Sequence, residues 1–105
     1  YTPNDPPASS LSWGNSNAGG SSAVAFGNAT VATGTGSVAL GSLTTASEYG
    51  FATGQNSRAT GEGSSALGLY SFASGRGAFV AGNSSEASGD YSVAFGNGNM
   101  AQGMY

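Results

Sequence analysis

Five carboxylates, Asp5, Glu48, Glu62, Glu86 and Asp90, and a large population of serines are the residues here that could do chemistry. Two carboxylates converging on one bond can serve as general acid and base, and a serine becomes a nucleophile when a base activates it. Neither condition is met. The carboxylates fall at unrelated phases of the chain, and it has no histidine or cysteine to act as base, nucleophile or soft metal ligand. A calcium-binding glycine repeat carries an aspartate in each unit, whereas Asp90 is the single aspartate in the periodic part of this chain. Gly34-Thr35-Gly36 and Gly61-Glu62-Gly63 have the look of nucleotide loops, but both fall on a regular grid that explains them without a nucleotide. Arg58 and Arg76 are the whole cationic complement. Two guanidinium groups cannot line a phosphate-tracking groove or hold an anionic lipid surface. No apolar run nears the roughly 20 residues of a membrane-spanning helix. The expectation is therefore a protein that is not an enzyme, takes no cofactor or metal, binds no nucleic acid, does not insert into a membrane through this segment, and works through its surface.

The elements that must position that surface are written in the glycines. They stand at Gly27, Gly34 and Gly41, then at Gly54, Gly61, Gly68, Gly75, Gly82, Gly89, Gly96 and Gly103, in steps of seven. The interval from Gly41 to Gly54 is one residue short of two steps, and Glu48 stands where the missing glycine would be. Leu11-Ser12-Trp13-Gly14, with Asn17-Ala18-Gly19-Gly20, reads as a first, degenerate copy. Self-similarity at a fixed period is the sequence signature of a repeat architecture. Collagen needs glycine at every third residue, so a step of seven excludes it.

Within each unit the position two before the glycine is alanine, except at Val80, and the position four before is small, as at Ser37, Thr44, Ser57 and Ser92. Positions two apart share one face of a strand, and a face that is small throughout points into a space with no room. The opposite face alternates. Odd units carry Val24/Phe26, Val38/Leu40, Phe51/Thr53, Ser65/Leu67, Phe79/Ala81 and Val93/Phe95, and even units carry Val31/Thr33, Thr45/Ser47, Arg58/Thr60, Phe72/Ser74, Glu86/Ser88 and Met100/Gln102. The true repeat is thus about 14 residues, one apolar-backed strand and one polar-backed strand with a turn after each. A helix with glycine every seventh residue loses about 1 kcal/mol at each, and the segments are too short for stable helices. Glycine at the end of each short strand implies positive φ or a close backbone approach. The fold class that follows is all-β, a parallel β-roll or β-solenoid of about 14-residue coils with two short strands per coil. The domain reading is an extended, proline-containing lead-in over 1–10 and a β-roll head over 11–105, with clear repeats over 22–103.

An interior of alanine and serine buries little apolar area, at about 25 cal/mol per Å², against about 1–2 kcal/mol of backbone entropy for each ordered residue. An isolated rod of this kind is marginal. One outer face meanwhile aligns Val24, Phe26, Val38, Leu40, Phe51, Leu67, Phe79, Val93 and Phe95, with Leu11 and Trp13 at its start. A soluble chain does not leave such a stripe in water, and a second copy closed by rotation covers it most simply.

Ser37-Val38-Ala39-Leu40-Gly41, Ser92-Val93-Ala94-Phe95-Gly96 and the Ala-Ser/Thr-Gly units between them resemble the YadA-type head repeat of trimeric autotransporter adhesins. The resemblance runs over 22–103. It implies a left-handed β-roll, three of which pack lengthwise as a homotrimer, carried on the outer membrane surface of a Gram-negative bacterium. It also implies adhesion to host extracellular matrix proteins of the collagen, fibronectin or laminin type, contact with host cells, and autoagglutination. A Ser-Val-Ala-Ile-Gly motif has been tied to collagen binding in the family. Here its apolar residues Val38, Leu40, Val93 and Phe95 fall on the face assigned to the neighbouring chain, so the motif is read as serving assembly.

Candidate ligand contacts come from even strands and turns: Arg58, Phe72, Glu86 and Met100 on the polar face, and Tyr49, Tyr70 and Tyr91 at unit junctions. The tyrosines could equally shield the turns between coils, and Arg76 and Asp90 read as solvated turn charges. Irregularities at Glu48, Phe72 and Val80 favour a binding head over the alternative, a spacer rod of a surface or phage fibre with no ligand of its own. A threonine ladder of the ice-binding kind is broken by Arg58, Phe72 and Glu86.

Overall fold

A computed structural model describes residues 11–103. The lead-in expected over 1–10 lies outside the described residues. The described chain is all strand and turn: β1 (Leu11–Ala18), β2 (Val24–Ala32), β3 (Val38–Ser42), β4 (Thr45–Ala46), β5 (Phe51–Gln55), β6 (Arg58–Ala59), β7 (Ser65–Leu69), β8 (Phe72–Ala73), β9 (Phe79–Asn83), β10 (Glu86–Ala87), β11 (Val93–Asn97) and β12 (Met100–Ala101). All pairings are parallel and join a strand to its counterpart one coil away, in the order β11-β9-β7-β5-β3-β2-β4-β6-β8-β10-β12. The nine-residue β2 rounds the corner and belongs to both faces, pairing β3 with its first half and β4 with its second. This is the parallel β-solenoid expected, with coils of about 14 residues.

The degenerate first copy is a true coil, since Gly14 pairs with Gly27 and Ala18 with Ala32. It is a residue short: the register slips between Asn15 and Ser16, where Ala29 in the next coil has no counterpart.

The small face is the interior. Ala25, Ala39, Ala52, Ala66, Val80 and Ala94 stack from coil to coil on one side, and Ala32, Ala46, Ala59, Ala73 and Ala87 on the other, all buried. Val80 is a core residue, as its place two before the glycine implies, so this irregularity of the repeat lies inside the coil and gives no support to ligand binding. Small side chains are needed because the two walls meet over the width of a single coil.

Each coil after the first turns twice through a left-handed residue. Ala29, Leu43, Asn56, Tyr70 and Ser84 form one column, with φ between 53° and 58°. Ser22, Gly36, Tyr49, Gly63, Gly77 and Tyr91 form the other. The amide of each typically donates to a carbonyl of the preceding coil, as from Tyr49 to Thr35 at 2.9 Å, from Tyr70 to Gln55 at 2.9 Å and from Tyr91 to Arg76 at 2.7 Å. This inter-coil bond holds non-glycine residues in a conformation that costs them roughly 1–2 kcal/mol.

The short interval after Gly41 resolves differently from expectation. Glu48 does not take the missing glycine's place. Ser47 does: its carbonyl accepts from the Gly50 amide at 2.7 Å, as the Gly34 carbonyl accepts from Ser37 and the Gly61 carbonyl from Ser64. Glu48 stands at the turn tip, where its carbonyl accepts from Gly63 as that of Thr35 accepts from Tyr49. The lost residue is thus the one before the glycine, and spacing counted from glycines alone shifts the assignment by one.

The buried hydroxyls of one column, four before the glycine on the even side, divide into two groups. Ser57, Ser71 and Ser85 donate to the carbonyls of Gly68, Gly82 and Gly96 in the next coil at 2.7, 3.1 and 2.9 Å. Thr30 and Thr44 occupy the same column, and their hydroxyls find no partner. An unmade buried hydrogen bond is costly, whereas a satisfied one stabilises by about 1 kcal/mol. Thr44→Val is expected to leave the denaturation midpoint unchanged or raise it, and Ser57→Ala to lower stability by about 1 kcal/mol, as read by urea unfolding.

Candidate ligand-facing surface

Alternation along the strands sends the large side chains outward, and parallel in-register pairing gathers them into columns. On the odd face, Val24, Val38, Phe51, Ser65, Phe79 and Val93 form one column, and Phe26, Leu40, Thr53, Leu67, Ala81 and Phe95 the next. None of these side chains is buried in the single chain, and Phe95 is 61% exposed. Their cover comes from one another: Phe79 meets Phe95 at 5.4 Å between ring centres, and Trp13 meets Phe26 edge-on at 5.8 Å. In the motif-like stretch from Ser37 to Gly41, Ser37 and Ala39 are buried inside the coil, whereas Val38 and Leu40 stand on this outer face.

The even face is built the same way from shorter strands. Arg58 pairs with Phe72, and Phe72 with Glu86, so a cation, a ring and a carboxylate stand on three adjacent strands in one column. The Arg58 guanidinium lies 5.9 Å from the Phe72 ring centre, within reach of a cation–π contact. Beside them Thr60 and Ser74 complete a shallow depression of about 200 Å³ lined by Arg58, Thr60, Phe72, Ser74 and Glu86. Sequence reading singled out Arg58, Phe72 and Glu86, and the structure brings them together. It missed Thr60 and Ser74 as members, although their shared parity with Arg58 and Phe72 was the available signal. Met100 continues the column beyond Glu86, 63% exposed.

The tyrosines do not join this cluster. Tyr49 and Tyr70 lie on opposite turn ridges, the first between β4 and β5, the second between β7 and β8. The Tyr49 ring lies over Gly36 and the Tyr91 ring over Gly77, each shielding the turn of the preceding coil. All three remain about half exposed or more. Leu43 and Leu69 are also exposed on the ridge that carries Tyr70, a feature that the strand periodicity does not reach.

Arg76 and Asp90 are one coil apart at the turn tips. The Arg76 amide donates to Asp90 Oδ1 at 3.0 Å, and its guanidinium reaches Oδ2 at 3.4 Å. The amide first, and then the guanidinium, hold the Asp90 carboxyl below the ordinary aspartate value, against a smaller opposing effect of desolvation. A depressed carboxylate contributes stability above its unfolded value and loses it as pH falls through the folded one. For this exposed pair the expected observable is the titration itself. The Asp90 carboxyl carbon followed by NMR has its midpoint below the ordinary value, and Arg76→Gln raises that midpoint without fully restoring it, because the amide remains.

Among the described residues no group of histidine, cysteine, aspartate and glutamate is placed to hold a metal ion. The family model of the YadA head domain repeat matches residues 15–44, 45–71 and 73–99. No curated protein and no solved structure matches the chain. The three matched segments cover most of the sequence and follow the coils that the strand register defines, so the chain belongs to the YadA head family, the non-enzymatic, surface-exposed heads of bacterial trimeric autotransporter adhesins.

Proposed function

We propose that this chain is an adhesin head that packs as a homotrimer and attaches a bacterium to host extracellular matrix proteins of the collagen, fibronectin or laminin type, or to host cells, with autoagglutination as a second outcome. The observation that carries the reading is the outer odd face, a long apolar surface that the chain itself covers only in part, in a family whose heads are trimeric. Val24, Phe26, Val38, Leu40, Phe51, Leu67, Phe79, Val93 and Phe95 are assigned to the contact between chains, which leaves the even face and the turn ridges for ligands. Arg58, Phe72, Glu86, Tyr49 and Tyr70 are the proposed contacts there. The β-roll head is assigned to 11–105, preceded by the lead-in over 1–10, and its proposed place is the extracellular side of the outer membrane.

The test is adhesion of the purified head to wells coated with collagen, fibronectin or laminin, and to cultured host cells. Saturable binding to one of these supports the reading. A folded trimer that binds none of them, and does not agglutinate when displayed on cells, overturns it in favour of a spacer rod.

A further inference from the structure

We propose that the depression on the even face is a saccharide subsite that takes a carboxylate-bearing pyranose, a uronate; the inference rests on the reading of this chain as an adhesin head. Four observations lead to it. Arg58 is one of only two cations in the chain. Unlike Arg76 it forms no ion pair among the described residues, and neither does Glu86. A cation left without a carboxylate on a weakly charged surface is available to an external anion, and guanidinium matches a carboxylate through two parallel hydrogen bonds. Phe72 beside it is an aromatic ring on a mostly polar face, half-buried with the Arg58 guanidinium over one side, and its remaining surface is the platform for the apolar C–H face of a sugar ring. Thr60, Ser74 and Glu86 surround that platform with hydroxyls and a carboxylate, which can donate to and accept from ring hydroxyls.

The backbone separates a sugar from a peptide. The amides of Arg58, Phe72 and Glu86 all donate within the sheet, to Ser71, Ser85 and Asn99 at 2.8–3.0 Å. A ligand on this face meets side chains only. An extended peptide gains most of its affinity from main-chain pairing at a sheet edge, and no edge is offered here. A pyranose carries its polar groups around its rim and needs none. The depression is open and shallow, which suits one residue of a longer polymer rather than an enclosed small molecule.

The experiment uses the head in solution with methyl β-glucuronide, and with methyl β-glucoside as the neutral control. Saturation-transfer NMR is expected to show transfer to the glucuronide ring protons and a clearly weaker response to the glucoside. Arg58→Gln should weaken the glucuronide by about tenfold or more, and Phe72→Thr, a residue the same column already carries at Thr45, should abolish the transfer. Arg76→Gln, which removes the other cation at a turn tip outside the depression, should retain it. Circular dichroism melting establishes that each variant is folded. No transfer to the glucuronide, or equal affinity in the wild type, Arg58→Gln and Phe72→Thr, overturns the subsite. If the head adheres to matrix proteins but ignores the glucuronide, the subsite alone falls. If it binds the glucuronide but adheres to nothing, the adhesin reading alone falls. Hyaluronan and alginate coats then separate a uronate of animal matrix from one of bacterial origin.

Discussion

Gly68→Ala is expected to prevent the head from folding, whereas Gly63→Ala, five residues earlier, leaves it folded and weakened by about 1 kcal/mol. Both glycines have positive φ, +116° at Gly68 and +69° at Gly63. The difference lies in what surrounds them. A Cβ on Gly68 would overlap the backbone carbonyl oxygen of Gly82 in the next coil, and nothing lies within 4 Å of one on Gly63. At Gly63 an alanine meets only the ordinary left-handed penalty, as Tyr49 and Tyr91 already do in the same column. At Gly68 the backbone strain of about 1–3 kcal/mol adds to overpacking of about 1–3 kcal/mol, and the obstructing atom is backbone that cannot move without breaking the ladder. The sum is a large share of the 5–15 kcal/mol stability of a typical domain. Soluble yield and the melting midpoint of the two variants check the contrast. A Gly68→Ala head that melts within a few degrees of Gly63→Ala would show that the coils can separate to admit a methyl group.

Leu67→Asp is the second change with a large expected effect. In the single chain Leu67 points outward from the middle of the odd face and is only half-buried, so a lone solenoid would tolerate aspartate there with little loss. Packed against a neighbour, the same carboxylate would be buried without a partner, at a cost of several kcal/mol. Sedimentation equilibrium is expected to give about 30 kDa for the wild type, three chains of 10.1 kDa, and loss of that species for Leu67→Asp with a concentration-dependent fall in melting temperature. A wild-type head that sediments as a stable monomer, indifferent to Leu67→Asp, would remove the apolar face from the assembly and return Val38, Leu40, Val93 and Phe95 to the ligand-facing set.

The sequence reading succeeded where one residue type served one physical need. Alanine two before nearly every glycine of the grid marks the interior because only small side chains fit between walls one coil apart, and that phase placed Ala39, Ala52, Ala66 and Val80 inside and Leu40 and Leu67 outside. The glycines were read as needing positive φ or a close approach, and the structure separates the two needs. Gly27, Gly41, Gly54, Gly68, Gly82 and Gly96 have positive φ, whereas Gly34, Gly61, Gly75 and Gly89 are held to glycine by the proximity of the next coil alone. What could not be read were departures from the grid. Ser47 replaces a glycine because the coil has lost the residue before it, and only the hydrogen bonds reveal which position is gone. Tyr49, Tyr70 and Tyr91 hold left-handed positions that propensity reserves for glycine and asparagine, because an inter-coil amide bond outweighs the local preference. Arg58 and Glu86 are 28 positions apart in sequence, and their meeting beside Thr60 and Ser74 depends on register between β6, β8 and β10.

Parallel pairing of each coil with the next in the same register has a hereditary consequence. Coils of full length present the same small interior and the same ladder to both neighbours, so removing or duplicating one such coil rejoins surfaces that already fit. The gene can thus lengthen or shorten this head by unequal exchange between its own repeats, without any compensating change elsewhere. A shift of a single codon is tolerated only at the corners, where the two short coils record it. How far such a head reaches from its cell is then set by the number of repeats inherited.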